Sequence, residues 1–596
     1  MRKLPGSRLY ESGKGVFIKK RTWSRMVVSG AGLATAWLMV PFLAAQQSQY
    51  ADLVLRGGKV ITVDGQDRIA EAVAVTGNRI AAIGSNQEIA RLVGPQTKVI
   101  ELNGRALLPG FIDAHSHVLG LAESEHLKIP IQIPPRKDVA AILGALEQKQ
   151  AQLPPGAWLF GQGTYYQPMP TREQLDAAFP GNPVVLWWSD HDQIMNHKAS
   201  IALGLTKDAP DPVGRGQYER TASGEVKIVH DAGVHYPVPQ FTFAQAKEAL
   251  RETLTDFYLK KGVTTVTDMS DPALAYRAYQ ELEAEGKLPV RLTLNYIIRA
   301  DTRDESSQSI RVSSLLNSLI ASGLHTGFGD DSIRIGAIKI LLDGVWGTTA
   351  ATYKPFWKGS KTNWSPNNMG GTSFTQDELN RAVMDAHKAG WQIMVHALGD
   401  RSQDMVLTAF EAAQNAFPRA DARLRIEHVG HAWVDDPQRQ PERIARMKRD
   451  GVIPSPQVSM LWRYSAADLE EPGVKFFPLR TMLDLGFRPP NGADTLGTQN
   501  FATDPLFALA RAVRRDSKYG IVVHPEEAIS TMDGIRMFTT WAARADFLES
   551  SRGSIEVGKL ADLVVLSADP LTTPPAKFGD LGVEMTILGG KLAYQR

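Results

Sequence analysis

Short apolar runs, separated by stretches of helical spacing, recur along the middle of the chain. No other feature restricts its fold as much. The runs cover residues 106–117, 263–269, 290–298, 333–342, 392–396, 424–428 and 452–458. An eighth, near 487–494, is interrupted by Pro489 and Pro490. Strands that are apolar on both faces must be covered on both sides, as in a parallel sheet flanked by helices. Amphipathic stretches at 244–260 and 376–389 supply such helices. Eight β–α units over this length favour an α/β closed barrel over an open doubly wound sheet.

The spacing is uneven at one point. The first run ends at His117 and the second begins at Val263, far more chain than a β–α–β crossover needs. An insertion after the first barrel strand is therefore expected at about 122–243. It carries Trp158, Tyr165, Tyr166, Trp187, Trp188 and Tyr218, which either form the insert's own core or line a substrate cleft. Near the two ends, residues 51–63, 72–83, 553–566 and 585–594 alternate apolar and polar side chains around Gly- or Asn-containing turns, the pattern of hairpin strands. They predict one small sheet domain assembled from both termini, 46–107 and 553–596, beside a barrel domain at 108–552.

Of the 596 residues, 43% are hydrophobic and 22% charged, and the net charge is +2. These are globular values, with no basic field for nucleic acid. Cysteine is absent, which excludes disulfides, zinc–thiolate sites and cysteine nucleophiles. Lys19, Lys20, Arg21 and Arg25 are followed by an apolar stretch at 26–45 that ends in small residues. This reads as a cleaved signal peptide, residues 1–45, and an exported protein, periplasmic or extracellular. Lys20-Arg21 is a loose variant of the twin-arginine signal. Left uncleaved, the stretch would anchor the chain to a membrane, but Gly30, Gly32 and Pro41 weaken it as a spanning helix.

The chemistry is carried by polar residues at the strand ends. In PGFIDAHSHV, His115 and His117 are two apart on a strand and face the same side. Two neutral imidazoles converging there are half of a divalent metal site. Further along, Lys339 interrupts the apolar IGAIKILL, His396 ends IMVHALGD, His428 ends RIEHVG and Asp494 ends NGAD. A single histidine at a strand end is more often a hydrogen-bonded core residue. Four histidines, a lysine and an aspartate in successive units point instead to the catalytic face of a barrel.

With these motifs, and with ADLVLRGGKVITVD, GVTTVTDM, IKILLDG, VHALGDR, RIEHVGH and GSIEVGKLADLVVLSADP, the chain resembles the amidohydrolase superfamily of metal-dependent hydrolases. Within it the chain looks like the third subfamily, which includes N-substituted formamide deformylases. The resemblance implies a (β/α)8 TIM barrel with a flanking β-sandwich. It also implies roles: His115 and His117 bind the more buried metal, and His396 and His428 bind the second. Lys339 takes up carbon dioxide to form a carbamate bridging the two ions. Asp494 binds metal and handles the proton of the attacking water. The ions implied are zinc, with iron, manganese or cobalt as alternatives.

The chain departs from the family pattern at FRPPNGADTLG, where Asp484 and Asp504 rival Asp494. It departs again at Ser189-Asp190-His191-Asp192, where the branch has Asp-Gly-His. His191 there is a substrate-binding or a structural residue. Asp400 and Arg401 are read as orienting the site. The expected reaction is hydrolysis of a non-peptide C–N bond, in an amide, formamide or cyclic amide, by metal-activated hydroxide. The alternatives are an esterase or lactonase, a deaminase, and a non-catalytic binding or regulatory protein on the same scaffold. The partner is a small-molecule substrate, with no nucleic acid, with membrane only through an uncleaved leader, and with no oligomeric state implied.

Overall fold

A computed structural model describes residues 50–212, 214–298, 314–357, 365–497 and 499–596. The expected leader at 1–45 lies outside the described residues. Among those residues no helix is long and apolar enough to cross a membrane.

Seven strands form the central sheet: β1 (Phe111–Ser116), β2 (Val263–Asp268), β3 (Arg291–Ile298), β4 (Ile333–Leu341), β5 (Ile393–His396), β6 (Arg425–Glu427) and β7 (Ile453–Ser455). Every neighbouring pair is parallel, and the order in the sheet is the order in the chain. Strands added always on the same side, each twisted relative to the last, curl the sheet into a half-barrel. This is an α/β architecture consistent with a TIM barrel.

The eighth candidate strand is corrected. Residues 487–494 form no regular strand, because Pro489 and Pro490 supply no N–H to a ladder. The segment still reaches β1: Ala114 N donates to Asn491 O at 3.0 Å and Asp494 N donates to His115 O at 2.9 Å. The first candidate strand, 106–117, is likewise corrected to two elements. Ala106–Pro109 belongs to another sheet, and β1 begins after Gly110. A side chain at Gly110 would collide with Thr264, so the chain passes β2 at this point only as glycine.

Alternation along the strands separates inside from outside. Ile338 and Ile340 of β4 and Ile393 and Val395 of β5 pack in one buried cluster with the helices α1 (Gln376–Lys388) and α2 (Asp400–Ala416). Ala337 and Met394, which alternate with them, pack in a separate buried group, and Lys339 shares their phase. Helix α1 starts where Thr375 and Glu378 form a reciprocal capping box. It buries Leu379, Ala382, Val383 and Ala386, one face at helical spacing. Full burial of Leu379 or Val383 contributes roughly 1.5–3 kcal/mol each. Thr375→Ala would remove the cap at a cost of about 1 kcal/mol.

Residues 53–109 and 563–595 meet in an eight-stranded sheet. Leu53–Ile61, Ile69–Thr76, Arg79–Gly84, Lys98–Glu101 and Ala106–Pro109 come from the N-terminal side, and Leu563–Leu566, Val583–Leu588 and Lys591–Gln595 from the C-terminal side. This sheet forks at Gly57 and Gly58. Leu53 to Arg56 pair with Lys98–Glu101, whereas Lys59 and Val60 pair with Ala106 and Leu107.

Between β1 and β2 lies a six-stranded sheet. Ile129–Pro130, Leu159–Gln162 and Val184–Trp187 run parallel, and Asp192–Met195, Val226–His230 and Gln217–Arg220 continue it antiparallel. Its aromatics divide between the two readings offered by the sequence. Trp158, Trp187 and Tyr218 pack in the insert's own core. Tyr165 instead stands 6.4 Å, ring to ring, from His191. Tyr166 and Trp188 line a cavity of about 480 Å³ together with Met169, Ile194 and Tyr519.

Candidate metal centre

β1 delivers its two imidazoles to a shared carboxylate. His115 Nε2 lies 3.3 Å from Asp494 Oδ1, and His117 Nε2 lies 3.5 Å from the same oxygen. One ligand atom from each of these three residues falls within 4.8 Å of the others. His428 Nδ1 is 3.7 Å from Asp494 Oδ2, and the His396 and His428 rings are 4.2 Å apart. Lys339, His396 and His428 are all buried. Asp494 therefore stands among three imidazoles, with the fourth tilted against His428 and the lysine amine close enough to depress both. The rivals lie elsewhere. Asp484 is exposed at the end of a helix, and Asp504 caps the helix Pro505–Arg514 through Leu506 N at 2.9 Å.

The histidine tautomers are set by their far nitrogens. His115 Nδ1 donates to Glu427 Oε2 at 2.6 Å, His117 Nδ1 to Met269 O at 3.1 Å and His396 Nε2 to Gly344 O at 3.2 Å. Each opposite nitrogen then presents a lone pair, the state a metal requires. His115 Nε2, His428 Nδ1 and Lys339 Nζ are buried and have no hydrogen-bond partner. Burial, with the Lys339 amine, holds His396 and His428 well below the usual imidazole range and so neutral. Asp494 is held well below the usual carboxylate range: burial pushes it up, and the adjoining histidines more than reverse this. A divalent ion fits this donor set. With ligand bonds of about 2.1 Å, tetrahedral neighbours lie about 3.4 Å apart, the spacing seen between Asp494 and the two β1 imidazoles.

The backbone is bent to achieve this. Asp494 has φ +48° and His428 φ +69°, a left-handed conformation uncommon for residues with side chains and costing on the order of 1–3 kcal/mol each. A side chain at Gly492 would strike the His115 backbone. The glycine of Gly-Ala-Asp is therefore what lets the segment lie against β1.

Several functional residues escaped the sequence reading. Glu427 orients His115 and is itself held by Arg425 Nε at 2.8 Å. Arg425 also reaches Asp546 Oδ1 at 2.6 Å, Ala114 O at 3.0 Å and Ser455 Oγ at 3.2 Å. Asp113 accepts from His115 N and Ala493 N, both at 3.1 Å, tying β1 to the Asp494 segment. Burial pushes Asp113 up to about 7. Asp343 accepts from Leu398 N, Gly399 N and Ser402 Oγ, which fixes the turn after His396. His431, 5.1 Å from the His428 ring, is bound to Gln457 Oε1 at 3.0 Å. Glu427, Asp113 and Asp343 were visible as charges inside apolar motifs. Asp546 carried no such signal.

His191 is 5.6 Å, ring to ring, from His396. Its Nδ1 donates to Asp231 Oδ1 at 2.6 Å, and Arg215 holds that carboxylate at 3.0 Å. Burial alone would depress His191, but Asp231 and Asp190 raise it to about 9. Asp400 accepts from Tyr353 N at 3.1 Å, away from the imidazoles, so it orders a loop.

Comparison with known proteins gives one consistent result. A family model described as "Amidohydrolase family" matches residues 98–594. The N-substituted formamide deformylase of Arthrobacter pascens is 30% identical over 92% of this chain and 99% of its own length. Crystal structures of uncharacterized metal-dependent hydrolases share the fold. The one from Pyrococcus horikoshii OT3 has a TM-score of 0.63 at 21% identity, covering 88% of this chain and 99% of that one. The one from Pyrococcus furiosus has 0.61 at 22%, covering 87% and 100%.

Proposed function

The chain belongs to the amidohydrolase family, and from that premise we propose that it hydrolyses a non-peptide amide, formamide or cyclic amide with divalent metal held by His115, His117, His396, His428, Asp494 and Lys339. It is an enzyme of C–N bond hydrolysis, as its family is. The observation that carries the finer reading is Asp494 set among three imidazoles, with buried nitrogen atoms that no protein group satisfies.

A divalent cation held there supplies Lewis acidity, acidifying water and polarising a carbonyl oxygen. Asp494 is deprotonated at neutral pH, so its carboxylate can take the proton of the attacking water. A carboxyl held so low releases that proton readily, and the departing nitrogen, the stronger base, receives it. His191, protonated beside Asp231, donates from Nε2 to the substrate's oxygen. Lys339 has an unpartnered amine that burial pushes down to about 8. Its neutral form would add carbon dioxide with release of one proton, and the resulting carbamate would be an anionic group able to help hold the ion. Zinc suits an imidazole-rich set, and iron, manganese or cobalt are accepted by the same atoms. The same membership supports reading the curled sheet as a (β/α)8 barrel and the terminal sheet as a β-sandwich, and the basic and then apolar composition of residues 1–45 supports reading them as an export signal.

The test is a panel of matched amides and esters assayed for released amine or alcohol, with metal content measured alongside. Asp494→Asn is expected to lower kcat on amides about 10²–10⁴-fold, with a smaller change in KM. A wild-type protein without tightly held transition metal, together with full turnover in His115→Ala, would overturn the proposal. Turnover of esters alone would change the bond.

A further inference from the structure

Arg463 is a buried arginine, 5% exposed, at the end of the short helix Val458–Arg463 that follows β7. Its Nη1 donates to Gly497 O at 2.8 Å. Its Nη2 meets the Met460 thioether at 3.2 Å, the Tyr464 hydroxyl lies near the guanidinium, and its Nε has no hydrogen-bond partner. Among the described residues no carboxylate lies within ion-pair distance of it. The nearby acids are engaged: Asp468 by Ser465 N and Oγ at 2.7 and 2.6 Å, and Glu471 by Trp346 Nε1 at 2.9 Å.

Three other buried arginines are satisfied. Arg291 puts Nε and Nη2 on the two oxygens of Asp562 at 2.7 and 3.0 Å, and Arg443 does the same on Asp404 at 2.7 and 3.0 Å. Arg515, which has no carboxylate, spends Nε, Nη1 and Nη2 on three carbonyls at 2.8–2.9 Å. Arg463 alone in this group leaves the Nε–Nη2 edge without a carboxylate or carbonyl oxygen. That edge is the one that forks onto a carboxylate, and a buried charge is costly until something pairs it.

Its surroundings place it beside the metal centre. The guanidinium lies 5.6 Å from the Tyr165 ring and 5.1 Å from the Tyr166 ring. Tyr165 is next to His191, and Tyr166 lines the aromatic cavity. Gly497, which Arg463 holds, packs against the Asp494 carboxylate.

We propose that the Nε–Nη2 edge of Arg463 receives a carboxylate of the substrate, so that the preferred substrate is an amide carrying a carboxylate near the scissile bond. This rests on the hydrolase reading above and names the substrate class for that site. N-formylphenylalanine and N-formyl-2-phenylethylamine differ only in the carboxylate and form the test pair. In the metal-loaded wild type the ratio of kcat/KM values is expected to favour the acid by about 100-fold or more. In Arg463→Met it falls toward one, and in Arg463→Lys it is intermediate. Calorimetry with 3-phenylpropanoate on the metal-loaded proteins is the second measurement. Binding at least about 10-fold weaker in Arg463→Met is expected, and any binding that persists there belongs to the metal. An unchanged kcat/KM ratio or unchanged 3-phenylpropanoate affinity in Arg463→Met overturns the proposal. If neither formamide is hydrolysed but 3-phenylpropanoate binding still depends on Arg463, the hydrolase reading fails and the carboxylate site stands.

Discussion

Two groups of buried charge meet at His115 and differ in one respect. On one side Arg425, Glu427 and Asp546 are fully buried and paired: all three guanidinium nitrogens have oxygen partners, and Thr267 Oγ1 caps Asp546 at 2.6 Å. On the other side His115 Nε2, His428 Nδ1 and Lys339 Nζ make no hydrogen bond. Both groups bear the cost of leaving water. A group that the chain satisfies itself is scaffold, whereas one it leaves unsatisfied is waiting for a ligand.

The strongest way to break this contrast is Arg425→Met. It strands Glu427 and Asp546 without their counter-charge and should destabilise the metal-free protein by about 3–5 kcal/mol in urea unfolding. A loss below about 1 kcal/mol would mean the paired group is no scaffold.

A second paired charge, in the insert, sharpens the rule through pH. His230 Nδ1 donates to Asp192 Oδ1 at 2.7 Å. Burial depresses His230, but Asp192 and Glu219 outweigh it and raise the imidazole to about 9. A raised value means that its stabilisation, on the order of 3 kcal/mol, is complete below the unfolded value near 6.5 and is lost as pH climbs through about 9. Unfolding followed from pH 6 to 10 should show that decline, and His230→Gln should flatten it.

The smallest effect tests the unsatisfied side. Lys339→Met removes a buried amine that nothing pairs. It should stabilise the metal-free protein by about 1–2 kcal/mol while lowering metal content. Destabilisation of the metal-free form would show that the amine was satisfied after all.

The sequence made β4 legible because a parallel strand covered on both faces is written largely in Val, Ile, Leu and Ala, as in IGAIKILL. Lys339 stood out against that background. Asp494 was legible through its glycine two residues earlier, and the reason is now physical: only glycine fits against the His115 backbone. The break at Gly110 was hidden, since both halves of 106–117 are buried and read as one run. Asp546 and Arg463 were hidden because both sit at the ends of short helices, where acids and bases are ordinary. Tyr165 and Trp187 look alike in sequence, yet one faces His191 and the other the insert's core. Only the pairing of the insert's strands separates them.

The segment carrying Asp494 is fastened to the first strand of the sheet, and the linkage joins residues 378 positions apart, as between His117 and Thr495. During synthesis the two β1 imidazoles leave the ribosome early and must remain without their carboxylate until the segment carrying Asp494 has followed. A product that stops before Asp494 therefore has the imidazoles without their carboxylate, and the proposed ion site would be complete only once that segment has been made.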